Sequence, residues 1–191
     1  MTILFERWRE VARARRDQIA LRDLAKGRCW SFGEMAAAAE KPTGETQAIV
    51  FPQGGSADFV FAVLRAWHFD QVACPLETGQ AEPAVSGKLP SRIVHLKTTS
   101  ATTDASRLVA FTAPQLIADA ENIVTTMGLR PDWPNLGFIS LAHSYGFSNL
   151  VLPLLLHGIP LTLAGAPLPE TLRRAADTGR DFTLPAVPAL W

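Results

Sequence analysis

Apolar and polar positions along the chain follow two periods, and the switches between them mark out the elements. Across residues 2–16, Phe5, Trp8 and Val11 recur at three-residue steps among arginines, which predicts an amphipathic helix. Residues 19–23 and 28–32 predict two short strands of a hairpin around Lys26-Gly27. Ser31 is followed three positions later by Glu34, the spacing of a capping box, so a helix opens there and runs to Glu40. Residues 47–52 have a continuously apolar centre, as a strand buried on both faces does. The turn Gln53-Gly54-Gly55-Ser56 leads into a helix over 57–69, capped by Ser56, and a strand follows at 72–75. Such strand–helix–strand crossovers build right-handed parallel sheets.

The pattern repeats twice more. A strand at 91–96 passes through a Thr/Ser-rich loop to a strand at 108–112 and a helix over 114–127. A strand at 136–141 leads through a helix at 148–156 to a strand at 159–163, with Gly158 at the helix's C-terminal glycine position. A helix at 169–177 and a strand at 181–184 end the series. Together these predict one α/β domain over residues 1–191, a mainly parallel sheet flanked by helices, with an N-terminal helix and short hairpin. Segments 48–51, 72–75 and 138–141 are expected among the central strands, and 78–90 is the one linker-like stretch.

Composition narrows the class. The chain has 191 residues, 48% hydrophobic and 19% charged, enough for a packed core and too apolar for a mainly disordered chain. Eighteen basic residues balance eighteen acidic ones, which argues against a nucleic-acid partner. The most apolar stretch, 150–163, is broken by Pro153, His157, Gly158 and Pro160 and is too short for a membrane span. The N-terminal helix lacks the apolar centre of a signal peptide. Cys29 and Cys74 read as buried thiols of a reducing compartment, so a cytoplasmic location is expected.

Candidate chemistry concentrates in one loop. Five of the six residues from Thr98 to Thr103 bear hydroxyls, the loop lies between two strands, and it ends at Arg107. Hydroxyls, backbone N–H groups and a guanidinium fork suit a phosphate, but the same composition suits a surface turn, and spacing leaves both open. Elsewhere the signals are structural. Gly54-Gly55-Ser56 lacks the full dinucleotide fingerprint. His68, His95 and His157 share no metal-ligand spacing with Cys29, Cys74 or a carboxylate cluster, so no metal site is expected. Ser144 does not sit in a Gly-x-Ser-x-Gly elbow.

Thr99 to Arg107 resembles the phosphate-binding signature of the adenylate-forming enzymes (acyl-CoA synthetases, ligases and adenylation domains), Thr-Ser-Gly-Thr-Thr-Gly-x-Pro-Lys. Other segments resemble the family in order. Residues 4–39 match its opening helix, hairpin and following helix, 48–76 its crossover ending in Pro-Leu, and Ser140-Leu141-Ala142-His143-Ser144-Tyr145-Gly146 its His-x-Tyr-Gly segment. The resemblance implies an enzyme that joins a carboxylate to ATP with Mg²⁺, releases pyrophosphate, and passes the acyl group to coenzyme A or a phosphopantetheine carrier, with fatty acid metabolism as one setting. It implies β- and γ-phosphate contacts from Thr99, Ser100, Thr102 and Thr103, with Arg107 in the place of the signature lysine. His143 would line the carboxylate and acyl site, and Tyr145 and Gly146 would shape its wall.

The departures have physical content. Ala101 and Asp104 stand at two signature glycines and Ser106 at the proline. A carboxylate about 4 Å from a phosphate charge costs on the order of 4 kcal/mol at an effective dielectric near 20, so Asp104 opposes the phosphate role. The family's adenine and ribose residues, its hinge and its mobile lysine have no counterpart here. The expectation is an N-terminal fragment of the ligase that is inactive alone and self-associates through Leu184, Val187, Leu190 and Trp191. Two alternatives stand beside it: a non-catalytic adenylation-like module that binds an acyl group or a partner, and a generic α/β nucleotide-binding domain.

Overall fold

The computed structural model describes residues 2–41, 47–85, 87, 89–99, 107–165, 170, 173–174 and 181–186. The chain opens with α1 (Ile3–Ala14), whose N-cap Thr2 binds backwards across the fold: its hydroxyl and its N–H both donate to the carbonyl of Trp67, at 2.9 and 3.2 Å. The hairpin forms as its sequence dictates, β1 (Ile19–Asp23) against β2 (Arg28–Ser31), antiparallel. Ser31 and Glu34 close a reciprocal capping box on α2 (Phe32–Ala39). The first crossover is β3 (Ile49–Val50), α3 (Ala57–His68) and β4 (Val72–Ala73), with the Ser56 hydroxyl accepting from the Asp58 N–H.

The next strands, β5 (Ile93–Thr98) and β6 (Leu108–Thr112), form a second hairpin. After it come α4 (Ala113–Thr126) and β7 (Asn135–Gly137). A single helical run then holds α5 (Ser144–Gly146), a π-helical segment (Phe147–Val151) and α6 (Leu152–His157), and β8 (Leu161–Leu163) follows. Gly158 ends the run with φ 69°, a left-handed position where a Cβ would meet the Arg15 side chain at 2.7 Å.

The strands divide into two four-stranded sheets, β2-β1-β8-β7 and β3-β4-β5-β6. Each contains two parallel pairings and one antiparallel hairpin, so the α/β, mainly parallel character is realised in two mixed sheets and not in one. Helix α3 contacts β3 and β4 of one sheet and β1 of the other. The largest apolar cluster gathers the buried faces of α1, α3 and α6, with Trp8, Trp67 and Phe59 fully enclosed. The parallel strands point their carboxyl ends toward one rim, where open α/β sheets place ligands.

Several expectations need correction. Of the three strands expected to be central, only β4 is interior; β3 and β7 end their sheets among the described strands. The strand expected at 136–141 stops at Gly137: Phe138 and Leu141 are apolar because they are buried, not because they continue the ladder. The helix expected from 148 starts at Ser144. Of the strand expected at 181–184, only an isolated bridge at Thr183 to Asn135 is formed. Leu184, expected to be exposed, packs half-buried beside Leu136, Phe138 and Ala164.

Cys29 is exposed, because β2 is an edge strand, while Cys74 is buried and its thiol is pushed up to about 11 by burial. Most of the helix expected at 169–177, together with Val187, Leu190 and Trp191, lies outside the described residues. Among the described residues no helix is long and apolar enough to cross a membrane.

Candidate functional site

The rim is built by three segments leaving β4, β5 and β7. After β4, Pro75-Leu76-Glu77 turns back at Gln80: Glu77 N–H donates to Gln80 Oε1 at 3.0 Å, and Gln80 Nε2 donates to Thr98 Oγ1 at 3.2 Å. This ties the end of β4 to the end of β5. After β5, Thr99 N–H donates to the Arg107 carbonyl at 2.9 Å, and Arg107 N–H donates to Thr99 Oγ1 at 3.2 Å. Thr99 and Arg107 thus stand as the two posts of the Thr/Ser-rich loop. Ser100, Ala101, Thr102, Thr103, Asp104 and Ser106 lie outside the described residues.

The third segment, after β7, is held by point contacts. The Ser140 hydroxyl lies 2.7 and 2.8 Å from the two Glu77 carboxylate oxygens, and its oxygen accepts from the Ala142 N–H at 3.2 Å. Gly146 packs directly on this turn. A Cβ there would stand 1.9 Å from the Ser140 carbonyl oxygen, so no other residue fits without moving the loop. Gly146 therefore sets the loop's approach to the helix; it is also part of the wall beside Tyr145 and His143. The Tyr145 hydroxyl donates to the Ala186 carbonyl at 3.3 Å.

His143 caps the helix that follows. Its Nδ1 accepts from the Tyr145 N–H at 3.3 Å, which places the proton of the neutral ring on Nε2. Behind it, Pro153 lacks the N–H that would bond the Asn149 carbonyl four residues earlier. Asn135 Nδ2 fills that place at 3.0 Å, while Asn149 Nδ2 donates to the Tyr145 carbonyl at 2.8 Å. The π-helical segment is where the ladder is loosened by proline and rebuilt by side chains.

Two clefts meet at His143. The first, about 590 Å³, runs past Glu77, Gln80, Thr98 and Thr99. The second, about 600 Å³, lies between the β5–β6 hairpin and α4 and reaches Gln115, Asp119 and Ser148. Lys97, Phe111, His143 and Ser144 line both. Strand alternation sets this up: His95, Lys97 and Thr99 succeed one another on one face of β5, from fully buried through half-buried to exposed. Burial holds the Lys97 ammonium below the usual lysine range, partly offset by the Asp119 charge. His95 lies deeper, its ring 4.4 Å from that of Phe147, and neither nitrogen has a hydrogen-bond partner among the described residues. Burial, then the Lys97 charge, pushes its pKa down to about 3.

Of the residues marked in the sequence, the structure brings Thr99, His143 and Tyr145 to the rim and pairs Thr99 with Arg107. Lys97, Asp119 and Glu77 line the clefts without belonging to any sequence motif, and Ser140, within the His-x-Tyr-Gly segment, takes its part through Glu77. The signal available for Glu77 was its place just past a buried strand ending in Pro-Leu; single charged residues such as Lys97 and Asp119 carry none.

No protein-family model and no curated protein matches the chain. Solved structures do. The o-succinylbenzoate CoA synthetase MenE from Bacillus subtilis, in complex with the acyl-adenylate intermediate OSB-AMP, superposes with a TM-score of 0.76 at 17% identity, covering 96% of this chain and 62% of that one. The same synthetase also matches in its complex with ATP and magnesium ion, with a TM-score of 0.73. The inhibitor-bound N-terminal domain of FACL13 from Mycobacterium tuberculosis gives 0.78 at 15% identity, covering 100% and 64%. VinN in complex with L-aspartate gives 0.77 at 18% identity, covering 98% and 67%. The chain thus spans less than two thirds of the MenE and FACL13 chains, and at these identities the likeness is one of fold. That fold is the N-terminal portion of the adenylate-forming enzymes.

Proposed function

We propose that the chain is the carboxylate- and phosphate-binding part of an ATP-dependent acyl-activating ligase. The observation that carries this is the junction at His143, where a cleft starting at the posts of the Thr/Ser-rich loop meets a cleft of similar size under α4. A carboxylate held at that junction has its oxygen directed at a triphosphate in the first cleft. Attack on the α-phosphorus forms the acyl–O–P bond, breaks the bond to the β-phosphate and releases pyrophosphate. Positioning and charge neutralisation supply most of such catalysis.

In this reading Thr99, Ser100, Thr102, Thr103 and Arg107 hold the β- and γ-phosphates of the Mg²⁺–ATP substrate. His143, through Nε2–H, and the wall of Tyr145 and Gly146 hold the carboxylate. The thioester step to coenzyme A or a phosphopantetheine thiol follows from the same reading. Support comes from the neighbours, one solved with an acyl-adenylate intermediate and again with ATP and magnesium. In this reading the 191-residue chain by itself binds without turning over. A binding module without catalysis is the second reading, favoured by Asp104 at a signature glycine.

The test is calorimetric titration of Mg²⁺–ATP into the chain and its Arg107→Ala variant, with carboxylate-dependent exchange of labelled pyrophosphate into ATP measured alongside. Binding weakened about tenfold or more by Arg107→Ala, with no exchange, is the expected outcome. Equal affinity in both proteins would overturn the phosphate assignment, and exchange above the no-carboxylate control would overturn the inactivity.

A further inference from the structure

The second cleft carries opposite charges that do not touch. Lys97 stands on β5 and Asp119 on α4, and both line it. Among the described residues no carboxylate comes within ion-pair distance of the Lys97 ammonium, whose close neighbour is the Phe111 ring, 5.3 Å from Nζ to centroid. Asp119 interacts with Lys97 at longer range, while its Oδ2 accepts from the Ser148 hydroxyl at 2.6 Å. Ser148 is itself buried, so this carboxylate is fixed in place from the helix side. The lysine lines both clefts at the His143 junction, and of these two clefts the aspartate lines the second.

We infer that this cleft takes a small amino-carboxylic acid, with its carboxylate beside Lys97 and His143 and its ammonium on Asp119. The inference rests on the ligase reading and names the substrate class within it. Two separated opposite charges are matched by a ligand that carries both, and each ligand charge replaces water lost by a protein charge. A fatty acyl chain in the same space would strip water from Asp119 and offer it nothing in return. Phe111 and Leu116 supply apolar wall, and the cleft's volume of about 600 Å³ has room for a short aliphatic linker.

The experiment uses isosteric pairs, in which a methyl replaces the ammonium. Calorimetry on the 191-residue chain would compare β-alanine with butanoate and 4-aminobutanoate with pentanoate, with L-aspartate and octanoate as further probes. At least one zwitterion is expected to bind tenfold tighter than its apolar partner. Asp119→Asn, which keeps an acceptor for Ser148, should bring that pair within about twofold, and Lys97→Met should weaken both members about tenfold or more.

Apolar acids that bind as tightly as the zwitterions, or a preference that survives Asp119→Asn, would overturn the inference. Mg²⁺–ATP titrated into the same samples separates the two levels. Nucleotide binding without a zwitterion preference sinks the inference alone. A zwitterion preference without nucleotide binding sinks the ligase reading alone, and no binding of either kind sinks both.

Discussion

The layer around Trp67 and the loop around His143 are fixed by different interactions. Trp67 is fully buried in a cluster drawn from most of the helices, and Trp8, Phe59 and Leu64 share the load with it. The loop from Ser140 to Gly146 is held by a carboxylate on one hydroxyl, a ring nitrogen on one N–H, and a glycine with no room for a methyl. Area-based packing is redundant: many contacts of about 0.1–0.2 kcal/mol each survive the loss of some. Point contacts are not redundant, so each one fixes a geometry that its neighbours cannot restore. Stability is concentrated in the first region and site geometry in the second.

The largest effect should come from Trp67→Ala, which leaves a cavity in the helical layer and costs about 3–5 kcal/mol of unfolding free energy. Chemical denaturation measures it; a loss below about 1 kcal/mol would mean the layer is far more plastic than its burial implies. Gly146→Ala sharpens the contrast from the other side. Its expected cost is about 1–3 kcal/mol, because the added methyl must push the Ser140 carbonyl away. Ligand binding at the junction should nonetheless be lost at temperatures where the variant remains folded. A variant that unfolds less than wild type, or binds as well, would show that the glycine is not what seats the loop.

His95 brings a titratable ring into the packed region, against Phe111 and Phe147. The unfolded chain takes up its proton near pH 6.5 and the folded one only near about 3. The stability contributed by the neutral ring is therefore complete above 6.5 and falls as the pH drops through that window, by at most about 1.4 kcal/mol per unit. His157, also depressed by burial, acts in the same direction. Urea midpoints from pH 7 to 4 should fall less steeply in His95→Leu than in wild type. Parallel slopes would place the acid sensitivity elsewhere.

Local structure was legible wherever a local interaction decides it. Ser31–Glu34, Ser56 and Gly158 each announce their cap or turn within four residues, and each is found doing that job. Sheet membership was not legible, because it depends on pairings such as Leu21 with Leu161, which no nearby residue encodes. The apolar run at 136–141 misled for a related reason. Burial selects apolar residues in a loop as firmly as in a strand, and only partners tell the two apart. At the site, His143 and Thr99 came from a motif, whereas Lys97 and Asp119 became neighbours only through the docking of α4 on β5.

The π-helical segment also bears on how the helical run tolerates change in length. Five residues, Phe147 to Val151, carry the slack of a ladder that Pro153 interrupts and Asn135 repairs. A π-turn, closed here by the Leu152 N–H on the Phe147 carbonyl, holds one residue more than an α-turn, so the segment takes up an extra residue between two α-helical stretches. His143 and Tyr145 stay at the junction while Leu152 to Leu156 stay on the core. The segment acts as a register mark, an extra position whose presence keeps the cap aimed at the clefts and the leucines aimed inward.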